Sequence, residues 1–132
     1  MSDEVMELRL VVTAPDYAEA VGFYRDVLGL AEREAYTSED GSVTILEAGK
    51  ATLEITDPNH ADYIDRVEVG RRVAGQFRVA LQVTDATGTT RTLTEAGASL
   101  IAAPTRTPWN SLNARLETPG GIQLTLFEEL GD

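Results

Sequence analysis

Short runs of alternating apolar and polar residues dominate the chain, and two stretches break that alternation with a helical period. In ELRLVVTA (7–14), Leu8, Leu10 and Val12 occupy one face of a strand and Arg9, Val11 and Thr13 the other. PDYAEAVGFYRDVLGL (15–30) changes period, with Ala20, Phe23, Tyr24, Val27 and Leu28 recurring at helical spacing. Asp16 serves as N-cap with Glu19 as its capping-box partner, and Gly29 supplies the stop. Strands are predicted near 31–37, 42–48 and 50–56, separated by Asp40-Gly41 and by a corner at Gly49. The first half therefore reads β-α-β-β-β.

The next segment, DPNHADYIDRVEVGRR (57–72), has no clean period and reads as a crossing between halves. The earlier order then returns. QFRVALQVTD (76–85) is a strand ending in a capping Asp, and ATGTTRTLTEAG (86–97) is a short helix held by Asp85, Leu93 and the Gly97 stop. Its five threonines and Gly88 are poor helix formers, so its place in the order carries more weight than its composition. ASLIAAP (98–104), SLNARLET (111–118) and GIQLTLFEE (121–129) are strands.

The halves can be overlaid. LRLVVTAPD (8–16) matches FRVALQVTD (77–85), placing Arg9 over Arg78, Thr13 over Gln82 and Asp16 over Asp85; LEIT (53–56) matches LTLF (124–127), placing Glu54 over Thr125. This repeat predicts an α+β fold in which two βαβββ modules, residues 1–56 and 76–132, are joined by 57–75 within one structural domain. Together they form an open, curved mixed sheet around a cavity, because each module covers edges the other leaves bare. Alternation places Arg9, Thr13, Glu54, Arg78, Gln82, Asn113, Arg115 and Thr125 on the polar faces of these strands, opposite the apolar faces that take the helices.

Composition narrows the chemistry. There is no cysteine and a single histidine, His60, so thiol nucleophiles, thiolate metal sites and His-rich metal sites are excluded within one chain. His60 falls in the aperiodic crossing segment and is read as a surface or loop residue. The 22 acidic residues against 11 basic ones give a net charge of −11, which argues against nucleic-acid and anionic-membrane partners. Ten of the 11 basic residues are arginine, suited to two-pronged pairing with carboxylates and other oxyanions. MSDEVMELRLVV passes from an acidic start straight into strand pattern, no apolar run reaches about 18 residues, and a cytoplasmic protein is expected.

PDYAEAVGFYRDVLGL together with TPGGIQLTLFEE (118–129) resembles the vicinal oxygen chelate superfamily, which includes glyoxalase I, fosfomycin-resistance enzymes, extradiol dioxygenases and bleomycin-resistance proteins. The resemblance extends over essentially the whole chain and is one of fold, shared by members of differing chemistry. It implies metal ligands at four strand positions, occupied here by Arg9, Glu54, Arg78 and Thr125. Guanidinium groups have no lone pair to give and a threonine hydroxyl is a weak substitute for a carboxylate, so no metal and no other cofactor is expected.

Three readings of these four residues stand: an ion-pair cluster filling the former metal cavity, a ligand site built on the arginines, or a proton-transfer site with Glu54 as general base. Trp109, by resemblance an aromatic over the cavity mouth, stands beside Asn110 and Arg115, with Tyr36, Tyr63 and Phe127 as further cavity aromatics. The expectation is a metal-independent binder of a small organic molecule, planar with an anionic or carbonyl-rich part, resembling the bleomycin- and antibiotic-resistance binders. Its ligand residues are Arg9, Thr13, Glu54, Arg78, Gln82, Trp109, Asn113, Arg115 and Thr125. A glyoxalase-like lyase or isomerase with an atypical site, and a non-catalytic structural or regulatory dimer, are the alternatives. A homodimer is expected from closure of half-barrel edges.

Overall fold

The computed structural model describes residues 5–27, 29–118 and 121–131. Strand β1 (Val5–Thr13) leads through Asp16 into α1 (Tyr17–Val21), which widens into a π-helical stretch over Gly22–Val27. Then follow β2 (Glu32–Ser38), β3 (Gly41–Ala48), β4 (Ala51–Thr56), α2 (Pro58–Glu68), β5 (Phe77–Val83), α3 (Ala86–Glu95), β6 (Ser99–Arg106), β7 (Ser111–Glu117) and β8 (Gln123–Glu129). Asp16 and Asp85 cap equivalent helices, each accepting at 3.0 Å from a backbone N–H three residues on, Glu19 and Gly88 respectively. Leu28 of the helical stripe and Pro119-Gly120 of the last turn lie outside the described residues, as do the side chains of Phe23 and Val27.

All eight strands form one sheet in the order β2-β3-β4-β1-β5-β8-β7-β6. Each module contributes four consecutive strands with its first strand innermost, parallel to its last: β1 with β4, and β5 with β8. The modules join inside the chain through the antiparallel pair β1–β5, in which Arg9 faces Ala80 and Val11 faces Arg78. The same rows continue outward, with Val11 beside Glu54 and Ala80 beside Thr125. The repeat is therefore a two-fold relation within the sheet.

Helices α1 and α3 cover the outer face. Val21 packs with Leu46 and Ile55, and Leu93 lies against Leu116, Leu124 and Leu126. The crossing segment differs from its aperiodic reading, because Pro58–Glu68 is a regular helix capped by Asp57, whose carboxylate accepts from His60 N at 2.8 Å. Its buried residues, Ala61, Ile64, Asp65 and Glu68, keep helical spacing, but half of them are acids, so no apolar stripe marks the face. Helix α2 lies on the concave side, with Ile64 and Glu68 facing the same cavity as Arg78 and Thr125. Among the described residues no helix is long and apolar enough to cross a membrane.

Candidate functional site

The concave face of the sheet, roofed in part by α2, encloses a cavity of about 610 Å³. That is within the usual range for small-molecule sites, about 300–1,000 Å³. Val11, Ala80 and Phe127 form a small apolar cluster at the seam, and Ala80 and Phe127 reach the cavity wall. Arg9, Glu54, Arg78, Asn113 and Thr125 add polar groups to the wall, while Tyr36 and Trp109, both well exposed, line it from opposite halves.

Equivalent positions of the two modules make equivalent contacts. In the first, Arg9 Nη1 donates to Glu54 Oε1 at 3.4 Å; in the second, Arg78 Nη1 donates to Thr125 Oγ1 at 2.8 Å. The charges do not match. Arg9 also donates through Nε to Glu7 Oε2 at 2.9 Å and stacks 4.9 Å above the Phe127 ring, so it is neutralised and fixed. Glu7 is bonded in turn by Thr52 Oγ1 at 2.7 Å and Arg33 Nη1 at 3.0 Å. Burial alone would raise the Glu7 carboxyl, but these hydrogen bonds and the charges of Arg9 and Arg33 outweigh it and hold the group below its ordinary value.

Arg78 has no such partner. It is only 9% exposed, no ion pair among the described residues includes it, and burial pushes its guanidinium below the ordinary value, with distant Glu68, Glu54 and Asp65 opposing the shift. A buried cation whose immediate neighbour is a neutral hydroxyl retains a large unmet demand for an anion.

Arg115 is placed differently from its expected ligand role. It is fully buried, donating from Nη1 to Asp65 Oδ1 at 2.8 Å and Gln123 Oε1 at 2.7 Å, and from Nη2 to Glu68 Oε1 at 2.6 Å. Asp65 Oδ2 takes Arg72 Nη1 at 2.9 Å and the Val73 and Ala74 N–H groups at 2.7 and 2.8 Å. Arg115 thus fastens α2 across the concave face and has no surface left for a ligand. Burial works against ionising Asp65, but the backbone N–H groups and Arg115 more than compensate and hold its carboxyl low.

Two further expected ligand residues also fall outside the cavity lining. Thr13 borders a void of about 10 Å³ behind α2, and half-buried Gln82 pairs with Glu7 and Phe127 in the sheet. Asn113 lines the cavity, but its Nδ2 donates to Glu68 Oε2 at 2.6 Å and its Oδ1 accepts from Ser111 Oγ at 2.6 Å.

His60, expected at the surface, instead stands half-buried in the first turn of α2 and lines the cavity. Burial lowers its imidazole below the ordinary value, against the influence of Glu54 and of a hydrogen bond with the Asp40 backbone. Its ring lies 5.9 Å from Tyr63, which is 6.2 Å from Trp109, so a tilted aromatic series joins α2 to the β6–β7 turn. Tyr63 supports this series from outside the cavity lining. Asn110, at φ 63, accepts from Arg106 at 2.7 Å and donates to Gly131 O, tying the Trp109 turn to the end of the chain. The sequence reading missed Ile64, Glu68 and Ser111, which also face the cavity. Its one available signal was Asp57-Pro58, an N-cap followed by a residue suited to the first helical turn.

A family model described as the glyoxalase/bleomycin resistance protein/dioxygenase superfamily matches residues 8–126. The chain belongs to this superfamily. Among solved structures it is similar to hypothetical protein BH1468 from Bacillus halodurans C-125, with 15% identity over 99% of this chain and 98% of that one and a TM-score of 0.71. A glyoxalase/bleomycin resistance protein/dioxygenase superfamily member from Vibrio splendidus 12B01 gives 14% identity, coverage of 92% and 97%, and a TM-score of 0.67. Methylmalonyl-CoA epimerase from Mycobacterium tuberculosis gives 18%, 97% and 89%, and 0.65. At such identities the likeness is one of fold. Among curated proteins none matches the chain.

The donor set does not fit the divalent metal of the superfamily's metal-dependent members. Of the four corresponding residues only Glu54 is a carboxylate, and it is paired with one of two guanidinium groups. The described residues contain no group of three or more His, Asp or Glu side chains that could hold a metal ion.

Proposed function

We propose that this superfamily member is a metal-independent small-molecule binding protein, its ligand anchored by an anionic or carbonyl-rich group at Arg78. The observation that carries this reading is the asymmetry of the repeat. Arg9 meets Glu54, whereas the equivalent Arg78 meets Thr125, which leaves one buried positive charge beside an open cavity. An entering oxyanion takes the place that Glu54 holds in the first module. Tyr36 and Trp109 suit a planar part of the same ligand at the mouth, by stacking. In this reading the acidic surface serves solubility, and selection for the anion occurs only where Arg78 is desolvated.

Trp109 is the sole tryptophan and lines the cavity, so its fluorescence reports directly on occupancy. Titration with a panel of planar aromatic carboxylates, bleomycin, other planar antibiotics and methylmalonyl-CoA is expected to give a saturable change with at least one anionic member. Arg78→Met should weaken that ligand about 10- to 100-fold, the equivalent of a charge-assisted hydrogen bond of ~1.5–3 kcal/mol. Thr125→Glu should do the same by giving Arg78 the counter-charge that Arg9 already has. Binding unchanged in both variants, or no binding by any member of the panel, would refute the proposal.

A further inference from the structure

Helix α2 does not seal completely onto the concave face of the sheet. Between the two lies the small void of about 10 Å³ that Thr13 borders. Its other polar neighbours are Thr56 at the end of β4, Arg78 on β5 and Asp65 on α2, while Val11 and Ala61 are among its apolar ones. Alternation along β4 puts Thr56 on the same face as Glu54, turned toward α2. Internal cavities that stay dry are lined by apolar groups, and this one is not.

Three of these polar groups have hydrogen-bonding capacity to spare. Thr56 is 1% exposed, and its Oγ1 is buried with no partner among the described residues. Arg78 donates from Nη1 to Thr125 Oγ1, its one side-chain hydrogen bond among the described residues, although a guanidinium carries five N–H donors. Asp65 Oδ1 accepts from Arg115 Nη1 alone, whereas Oδ2 already takes three donors.

Size and charge together select the occupant. A void this small takes a single water and nothing larger. An anion there would meet Asp65, and a cation would meet Arg78. A neutral molecule that both donates and accepts suits every polar group on the border.

We propose that this void is the binding site of one ordered water, which accepts from the Arg78 guanidinium and from Thr56 Oγ1 and donates to Asp65 Oδ1. Three hydrogen bonds are the usual complement of a buried water. The bridge makes Asp65 a counter-charge to Arg78 at one remove. Burial lowers the Arg78 guanidinium, and Asp65 is one of the acids that oppose the shift. Arg78 borders the large cavity as well as the void, so the water holds it from behind and leaves its remaining donors to the cavity. Thr56 thereby becomes a positioning residue, acting on Arg78 through the water.

A crystal structure of the full chain, at a resolution that shows ordered solvent, is expected to place one water within about 3.2 Å of both an Arg78 nitrogen and Thr56 Oγ1. In solution, water-selective nuclear Overhauser spectroscopy should give cross-peaks of long-lived sign to the Val11 and Ala61 methyl groups. Thr56→Val keeps the shape and removes the hydroxyl, so the cross-peaks should vanish, while Thr56→Ser should retain them. Stability gives an independent readout. An unpartnered hydroxyl can be exchanged for a methyl at no loss, whereas one that holds the water cannot, so Thr56→Val should lower the folding equilibrium constant about 3- to 10-fold. No water in contact with both groups, cross-peaks that survive Thr56→Val, or a Thr56→Val protein at least as stable as the wild type would overturn the proposal. If Thr56→Val does not fold, the wild-type crystal structure and the Thr56→Ser cross-peaks decide it. None of these readouts involves a ligand, so they stand or fall separately from the binding function.

Discussion

Arg115 and Arg78 both address Thr125, the first as its cross-strand partner and the second through a hydrogen bond, yet their duties are opposite. Arg115 is ion-paired with two acids that it neutralises, whereas Arg78 makes no direct ion pair among the described residues. Removing Arg115 takes the buried cation from two buried carboxylates, leaving Glu68 with only Asn113 and Asp65 with Arg72 and backbone N–H groups, so Arg115→Met is expected to cost about 3–5 kcal/mol in denaturant unfolding. Arg78→Met removes a desolvated charge that has no acid partner, so it should leave stability unchanged or higher while weakening the ligand. A pH series separates two other groups. His60 is held below its ordinary value of about 6.5, so below that pH the unfolded chain takes up a proton that the folded chain resists. Asp65 is held below its ordinary value of about 4, so its contribution is complete above that pH and is lost as pH falls through its lowered value. Both effects reduce stability on acidification, with His60 acting first. Urea midpoints should therefore fall in two stages, and His60→Gln should flatten the upper one alone. At this scale alternation was enough to place Arg9, Glu54, Arg78 and Thr125 on one face. It could not reveal which arginine was already satisfied, because Asp65 and Glu68, the acids that claim Arg115, are about 50 residues away on an element with no visible period.

Helix α2 is the element through which sheet and cavity communicate. Its N-terminus abuts the β2–β3 turn, where Gly41 adopts φ 102, and a Cβ there would lie 2.4 Å from His60 N and 2.5 Å from Asp57 Oδ1. Gly41→Ala is thus expected to do more than strain a turn. It should displace the Asp57 cap and His60 together, lowering the unfolding midpoint and shifting Trp109 emission through the His60–Tyr63–Trp109 series. Unchanged emission in a destabilised variant would mean that the series does not transmit the displacement. The strands were legible from two-residue alternation, and the capping aspartates located α1 and α3 despite five threonines in the latter. Alpha-2 was not legible, because a helix whose buried face is Ala61, Ile64, Asp65 and Glu68 has its polar residues where periodicity looks for apolar ones. The π-helical stretch at Gly22–Val27 left no signal either, since the stripe in that segment matches an ordinary helix.

Across the whole molecule, duplication set the architecture and divergence set the chemistry. The two modules preserve strand order, caps and the Arg9–Arg78 correspondence while differing at Glu54 and Thr125, so the fold could be read from what repeats and the site only from what does not. The seam between the modules also bears on synthesis. One edge of β1 pairs with β4, but its other edge waits for β5, which begins at Phe77. At a ribosomal rate of about 5–20 residues per second, that edge stays unpaired for roughly 3–13 seconds while the intervening chain is made. Throughout that interval the nascent first half presents an open strand edge flanked by Leu8 and Leu10. An unpaired edge of that kind is a template on which a strand of another chain can add, and the β1–β5 pair is what closes it within the chain.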